Sequence, residues 1–205
     1  MTAIADHPIG VASTTQVVAY DAHGGMYAAR LWWLLRWLGH DAVAVLDGGI
    51  AAWIAEGKPL TKELPAPRSA ILERGPGALP VDATFVLTHL DGDGMQLIDA
   101  RAPDRYAGQN ETLDPIAGHI PGAVNRFYKL NLDEQGHFKS ATALRQEFAT
   151  LLVDRSPREV VHQCGSGVTA CHNLLAMEHA GLVGSRLYPG SWSEWCADAG
   201  RPVAV

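Results

Sequence analysis

The chain has 205 residues, of which 47% are hydrophobic and 19% are charged, and its formal net charge is −6. These proportions are typical of a folded globular protein, and they exclude a disordered chain and a basic protein that binds nucleic acid. The length allows one large domain or two small ones, each able to bury a core.

The sequence shows no sign of a membrane span, a disulfide framework or a metal site. The start, MTAIADHPIG, lacks the features of a secretory signal, and the most apolar run, AARLWWLLRWLG, is interrupted by Arg30 and Arg36. The three cysteines form no C-x-x-C pair, and the nine histidines show no ligand spacing. We therefore expect neither metal nor cofactor, no membrane association, and a location in the reducing cytoplasm.

The first predicted elements are two strand–helix units. VVAYD (Val17 to Asp21) is a predicted strand, and a glycine turn leads from it into the helix YAARLWWLLRWL (27–38). In LDGGIAAW (46–53) a second strand ends, and a glycine turn opens a second helix. The tryptophans of the first helix lie among leucines, which favours a core helix over a ligand site.

A proline- and glycine-rich segment, residues 58–80, is predicted to be a linker. Beyond it, MQLIDAR (95–101) is predicted as a buried strand, and GHIPGAVN (118–125) as a turn leading into another strand. SATALRQEFATLL (140–152) has Ser140 at an N-cap position and helical spacing of its large apolar residues.

The end of the chain repeats its beginning. With one extra residue in the first turn, the matched positions are VVAYD with VVHQC (160–164), Ala28 with Ala170, Gly39 with Gly181, and LDGGIAAW with YPGSWSEW (188–195). The alternation of strands and helices in each copy predicts an α/β fold with a parallel central sheet flanked by helices.

The first copy is predicted to be incomplete, because only sixteen residues precede Val17. We therefore predict one complete domain preceded by half of a second. The predicted units are residues 1–57 (the N-terminal copy), the linker 58–80, and residues 81–205 (the complete copy). A single domain with a long extension is less favoured, because matched glycines and a matched tryptophan rarely coincide by composition alone.

Cys164 ends a predicted buried strand, and the Gly-Ser-Gly turn after it leads directly into a helix. Such a turn points successive backbone amides at one spot, and the positive end of the helix adds to their effect. Both favour the thiolate, which is the nucleophilic form of cysteine. We expect Gly165 and Gly167 to permit the tight turn, and the hydroxyls of Ser166 and Thr169 to donate hydrogen bonds beside the sulfur.

Other interpretations of this cysteine are weaker. A buried, inert Cys164 is the plain structural alternative. A cysteine phosphatase would have an arginine six residues after its nucleophile, where this chain has Ala170, so that class is disfavoured. A protease pair with His119 or His162 stays open, although a protease does not need a ring of amides. The remaining cysteines, Cys171 and Cys196, are predicted to lie in helices as core or helix-surface residues.

Three segments resemble the rhodanese superfamily. CGSGVT (164–169) resembles the active-site loop of its 3-mercaptopyruvate sulfurtransferases, while GHIPGAVN and YPGSWSEW resemble two characteristic segments of the family. The segment LIDARAPDRYAGQNETLDPIAGHIPG is similar to the start of a catalytic rhodanese domain. The resemblance covers the complete copy, and the N-terminal copy resembles the back half of the inactive N-terminal domain of two-domain members.

The resemblance implies a two-step sulfur transfer. The thiolate takes a sulfane sulfur from a small-molecule donor to form a persulfide, and cyanide, a thiol or a thioredoxin-like reductant then removes it. The implied catalytic residues are Cys164 and Ser166, and the implied substrate-binding residues are Arg105, Gly165, Gly167, Val168 and Thr169.

Arg105 matches the arginine that binds the donor's carboxylate or sulfonate, with a solvated surface arginine as the alternative. Asp99 and Arg101 match positions close to the loop, where the resemblance implies that they support the binding residues; Asp99 is equally well explained as a polar strand-end residue. The loop is neutral, whereas thiosulfate transferases resemble C-R-K-G-V-T. The resemblance therefore favours 3-mercaptopyruvate over thiosulfate as the donor.

The N-terminal copy has Asp21 in place of the cysteine, so it cannot form a persulfide. In two-domain members, acid–base residues from the missing half complete the site. The N-terminal copy is expected to pack on the complete copy, to complete itself through a partner chain, or to belong to a longer protein. Its tryptophan-rich helix leads us to expect self-association. The alternative to an enzyme is a sulfur-carrier or docking module fed by a protein partner.

Overall fold

A computed structural model of the chain describes residues 10–63, 66, 69–90 and 94–205. The N-terminal copy consists of two parallel strands, each followed by a helix. Its elements are β1 (Val17–Ala19), α1 (Met26–Trp37), β2 (Val43–Val45) and α2 (Gly49–Ala55). Val17 pairs with Val43 and Ala19 with Val45. The first strand is shorter than the predicted VVAYD, because the side chain of Asp21 turns into the loop that follows and accepts hydrogen bonds from its amides.

The complete copy contains four strands, five α-helices and two short 3-10 helices within the described residues. The strands are β3 (Gln96–Asp99), β4 (Val124–Asn125), β5 (Val160–Gln163) and β6 (Arg186–Leu187). The α-helices are α3 (Ala83–Thr88), α4 (Pro103–Tyr106), α5 (Ala141–Leu152), α6 (Val168–His179) and α7 (Ser191–Cys196). The 3-10 helices are Tyr128–Asn131 and Pro157–Glu159. The predicted Ser140 cap of α5 is confirmed, since its side chain accepts from the amide of Ala143.

The four strands form one parallel sheet in the order β4-β3-β5-β6. β5 lies inside the sheet, and all four of its residues are buried, as expected for a parallel strand covered on both faces. Asp99 pairs with Gln163, so β3 and β5 end side by side. The residues that follow them, Arg101 and Cys164, therefore lie at the same edge of the sheet. The predicted α/β class with a parallel sheet flanked by helices is confirmed.

The N-terminal copy packs on the complete copy through α1 and α6. Trp32 and Trp33 are buried in a cluster that also contains Cys171 and Leu174 of α6. Arg36 forms an ion pair with Glu178 at the other end of the two helices. The tryptophans that motivated the expectation of self-association therefore face the complete copy within the same chain.

The predicted linker runs past the end of α1. The amide of Gly75 donates to the carbonyl of Leu38 at 3.0 Å, and that of Ala78 donates to Arg36 at 3.2 Å. The described part of residues 58–80 contains no helix or strand. No helix in the described ranges has the length and apolar character needed to cross a bilayer.

Candidate active site

Cys164 lies directly after β5, and helix α7 holds the turn that follows it. The amide of Trp192 donates to the carbonyl of Cys164 at 3.0 Å, and that of Ser193 donates to Gly165 at 2.9 Å. The amide of Cys164 in turn donates to the hydroxyl of Ser191 at 3.1 Å. The first two bonds use free amides at the start of α7, and the third uses the Ser191 hydroxyl. Together they fix the backbone that carries the sulfur.

Position 167 of the turn requires glycine on steric grounds, whereas position 165 does not. Gly167 has a left-handed φ of 76°, and a Cβ there would lie 2.5 Å from the carbonyl oxygen of Pro189. A Cβ at Gly165 would have ordinary contact distances, 3.6 Å from Nη1 of Arg105. A Cβ at position 167 would thus clash with Pro189, whereas a Cβ at position 165 would fit beside Arg105.

The backbone amides of residues 165–169, here called the loop amides, make no hydrogen bond within the described parts of the chain. The N-terminal copy shows what such a turn binds. There the carboxylate of Asp21 accepts four amide hydrogen bonds of 2.7–3.0 Å, from His23, Gly25, Tyr27 and Ala28. Burial opposes ionisation of Asp21, but these bonds outweigh it and hold its pKa below the usual range. One turn binds its own anion, and the other leaves the equivalent amides open beside a thiol.

The side chains of the predicted loop residues differ in exposure. Cys164 is buried, with 2% of its surface exposed. Ser166 is exposed, while Val168 and Thr169 are half-buried at the start of α6. The hydroxyls of Ser166 and Thr169 make no hydrogen bond to the part of the chain that the structure describes, so both remain available to a ligand. The sulfur thus lies beneath a turn whose outer side is open to solvent.

Arg105 lies beside this turn, and an acidic residue that the sequence did not single out orients it. Its Nη2 binds both carboxylate oxygens of Glu111 at 2.8 Å, and Asp114 lies 3.5 Å away. Its Nη1 lies toward Gly165. Burial opposes ionisation of Glu111, yet hydrogen bonds from the Leu113 amide and Arg105 lower its pKa, so it is a carboxylate at neutral pH. No periodicity or motif in the sequence predicts that Glu111 binds Arg105. The only indication is that the two residues are close in sequence.

Asp99 and Arg101 form a buried pair behind the turn. Their side chains are 0% and 1% exposed, and Nη2 of Arg101 lies 2.7 Å from the Asp99 carboxylate. The same nitrogen donates to the carbonyl of Gly118 at 2.8 Å, and the guanidinium stacks on Trp192 at 4.9 Å from the ring centroid. Neither residue is exposed to a ligand. The pair instead joins the end of β3 to α7, the helix that holds the turn.

The other cysteines and the candidate histidines lack the surroundings of a nucleophile or a base. Burial raises the pKa of Cys171 to about 12 and also raises that of Cys196. His162 is fully buried in β5, and burial lowers its pKa to about 3. The ring of His119 is stacked on Tyr106 and hydrogen-bonded to its carbonyl. No hydrogen bond between Cys164 and a histidine is found in the described ranges, which disfavours the protease interpretation.

His172 of α6 links the two copies through a buried hydrogen-bond chain. Its Nε2 donates to the carbonyl of Gly24 at 2.9 Å, so Nδ1 accepts from the side-chain amide of Asn131 at 3.1 Å. Burial, partly opposed by the Gly24 contact and by Asp21, lowers the pKa of His172 to about 4. The ring is therefore neutral near pH 7, with its proton on Nε2.

This histidine predicts a specific loss of stability in acid. An unfolded histidine takes up its proton near pH 6.5, whereas His172 stays neutral until about pH 4. Between these values the unfolded state binds more protons, so stability falls as the pH falls. From pH 7 to 4.5 we expect the wild type to lose about 2 kcal/mol more unfolding free energy than His172→Gln, measured by urea denaturation. Equal losses in the two proteins would contradict the assignment.

The fold agrees with comparisons to known proteins. A family model of the rhodanese-like domain matches residues 3–56 and 82–198. The chain is 48% identical over 198 residues to a Pseudomonas aeruginosa protein named "Probable 3-mercaptopyruvate sulfurtransferase", and the match covers 96% of this chain and 70% of that protein. It is 37% identical over 195 residues to a thiosulfate sulfurtransferase of Gallus gallus, covering 91% of this chain and 65% of the relative.

A solved structure leads to the same group. The 3-mercaptopyruvate sulfurtransferase from Leishmania major matches with a TM-score of 0.77 and 32% identity, over 93% of this chain and 53% of that one. The chain thus spans about two thirds of the length of the Gallus gallus relative and about half of the Leishmania major protein. The sequence match and the shared architecture place it with both relatives: the chain belongs to the rhodanese family of sulfurtransferases.

Proposed function

We propose that the protein transfers a sulfane sulfur from 3-mercaptopyruvate, and less readily from thiosulfate, to a thiophilic acceptor through a persulfide on Cys164. One observation supports this most directly. The turn after Cys164 keeps its loop amides open, whereas the matching turn in the N-terminal copy uses its amides to bind the Asp21 carboxylate. A persulfide anion on Cys164 would find the same type of hydrogen-bond donors.

The first step forms the persulfide. The thiolate of Cys164 attacks the donor sulfur, a sulfur–sulfur bond forms, and the donor's carbon–sulfur bond breaks. The electron pair leaves on the enolate of pyruvate, which takes up the proton of the donor thiol to give pyruvate. With thiosulfate, the sulfur–sulfur bond of the donor breaks instead and the pair leaves as sulfite. The loop amides stabilise the negative charge that remains on the transferred sulfur.

The second step regenerates the thiolate. An acceptor such as cyanide attacks the outer sulfur, and the sulfur–sulfur bond breaks with its electron pair returning to Cys164. Cyanide becomes thiocyanate, and a thiol becomes a persulfide. We propose that a thioredoxin-like dithiol also serves, since its second thiol can expel the sulfur as sulfide while the pair becomes a disulfide. We propose that Ser166, whose side chain is exposed, donates a hydrogen bond to the outer sulfur or to the leaving group.

The donor is bound, in this proposal, by Arg105. Glu111 occupies Nε and Nη2, and Nη1 lies beside Gly165, where a donor attached to the Cys164 sulfur would place its carboxylate. The donor would meet one arginine nitrogen that Glu111 leaves free, and residues 164–169 contain no cation. This site suits the single negative charge of mercaptopyruvate better than the two negative charges of thiosulfate.

Arg105→Ala tests this role. Losing one charged hydrogen bond should raise the KM for the donor roughly ten- to a hundredfold, while cyanide attack on preformed persulfide changes far less, because cyanide has no carboxylate. Both half-reactions are measured by stopped-flow and thiocyanate release. Arg105→Lys should have a donor KM between those of the wild type and Arg105→Ala. The control is Arg145→Ala, because Arg145 donates to the carbonyl of Ala180 at the far end of α6. This control should have the wild-type KM. Equal losses in both half-reactions would refute the anchoring role.

A second candidate is a sulfur carrier fed by a protein donor. It requires the same persulfide on Cys164, and the same open loop amides would stabilise that persulfide. Persulfide formation from a protein donor but from neither small molecule would identify it, whereas a docking module without sulfur would form no persulfide at all.

We propose the division into residues 1–57, 58–80 and 81–205 and a location in the reducing cytoplasm. Self-association through the N-terminal copy is proposed on its exposed apolar residues, which include Val18, Tyr20, Tyr27, Leu31 and Ile54. Sedimentation of a clean monomer at high concentration would exclude it.

A further inference from the structure

Helices α1 and α6 make a reciprocal contact, in which each binds the turn that precedes the other. Arg30 follows Ala28 by two residues, and His172 follows Ala170 by two, so they occupy matched positions in the two copies. Nη1 of Arg30 donates to the carbonyl of Gly167 at 3.2 Å, and Nε2 of His172 donates to that of Gly24 at 2.9 Å. The N-terminal copy therefore contacts the backbone of the Cys164 turn directly.

The bond from Arg30 fixes one peptide of that turn. Because a peptide is planar and trans, the carbonyl of Gly167 and the amide of Val168 point in opposite directions. Holding the carbonyl toward Arg30 therefore fixes the amide of Val168, one of the loop amides, on the other side. Gly167 is the left-handed residue at which the turn becomes α6, so this peptide lies at the start of that helix.

Arg30 is itself held in place. Its guanidinium lies over Trp33, 5.2 Å from the ring centroid, and Trp33 is buried between the helices. Its Nη1 is 3.8 Å from the sulfur of Cys171, which shares the Gly167 carbonyl. The positive charge thus lies at the start of α6, where it adds to the helix end that favours an anion at the turn.

Other charged groups around the turn lie on different elements. Arg105 of α4 and Glu111 after it lie on the Gly165 side, while Arg101 is paired with Asp99 behind the turn. In the N-terminal copy, Asp21 binds its own amides. Arg30 is thus the cation of α1 that contacts the turn, opposite Arg105.

We propose that Arg30 is a positioning residue for sulfur transfer: it orients the Gly167–Val168 peptide and places a positive charge beside the Cys164 turn, so the N-terminal copy serves the reaction although it lacks a cysteine. This inference rests on the proposed function. In this proposal the N-terminal copy orients the loop amides and does not contact the substrate.

The test compares Arg30→Gln with Arg36→Gln in the full chain. Both arginines lie on α1 and contact the complete copy, but Arg36 binds Glu178 at the far end of α6. The first measurement is the pH profile of iodoacetamide alkylation at Cys164, located by tandem mass spectrometry. The others are the rate of persulfide formation and the unfolding midpoint in urea.

We expect Arg30→Gln to move the alkylation midpoint to higher pH and to slow persulfide formation roughly tenfold. Arg30→Lys, which keeps the charge, should recover part of both. Arg36→Gln should weaken packing of the two copies yet leave both readouts at wild-type values. The proposal is overturned if Arg30→Gln keeps the wild-type profile and rate, or if Arg36→Gln reproduces its defects. A wild type that forms no persulfide would refute the proposed function, while the alkylation profile would still test Arg30.

Discussion

Replacing Cys164 with serine is expected to abolish sulfur transfer from both donors to cyanide. A serine hydroxyl at the same place is not ionised at neutral pH, and it cannot form the sulfur–sulfur bond that stores the transferred atom. The fold should persist, with the free energy of unfolding within about 1 kcal/mol of the wild type, because the substitution is nearly isosteric. Thiocyanate production and urea unfolding, measured on the same preparations, check the two parts.

Cys196→Ala is the matched control for this change. Cys196 is a buried cysteine of α7 whose thiol pKa is raised by burial, so it should have no part in the transfer. Its replacement should leave the rate of thiocyanate formation unchanged. Residual transfer in Cys164→Ser above the uncatalysed rate would assign the chemistry to a different thiol.

Arg101→Met is expected to cause the largest loss of stability among the residues around the site. The substitution leaves the Asp99 carboxylate fully buried without its cation, and it removes the guanidinium that stacks on Trp192. Removing one member of a buried ion pair costs about 3–5 kcal/mol. The measurement is the free energy of unfolding in urea at pH 7.

Two further variants separate burial from charge. The double variant Asp99→Asn/Arg101→Met removes the uncompensated charge, so it should be less destabilised than Arg101→Met alone. Lys58→Met breaks the exposed pair with Glu56 and should change stability by less than about 1 kcal/mol. If Arg101→Met were no more destabilising than Lys58→Met, the pair would not hold β3 and α7 together.

The strands and helices were predictable where one local signal dominated. The buried run before Cys164, the cap at Ser140 and the helix after Gly167 each follow from a few adjacent residues, and the structure has them there. The position of Cys164 at the end of a central parallel strand follows from the same run. Its proximity to Arg101 then results from strand pairing, because Asp99 lies beside Gln163.

Contacts between distant residues were not predictable in the same way. The pairing of Arg105 with Glu111 depends on how an irregular loop folds back, and no periodicity describes such a loop. The contact of Arg30 with Gly167 depends on α1 packing on α6. From sequence alone, an arginine between apolar helix positions is predicted to be solvated, because the sequence does not show which helix packs against it. The tryptophans of α1 suggested a buried face, but not that α6 covers it.

Persulfide formation on Cys164 can be observed by intact-mass measurement of the wild-type protein after incubation with 3-mercaptopyruvate, and separately with thiosulfate. We expect a gain of one sulfur atom, more complete with 3-mercaptopyruvate. Cyanide should remove this sulfur as thiocyanate, and Cys164→Ser should not gain it. A folded protein that gains no sulfur from either donor would contradict this expectation.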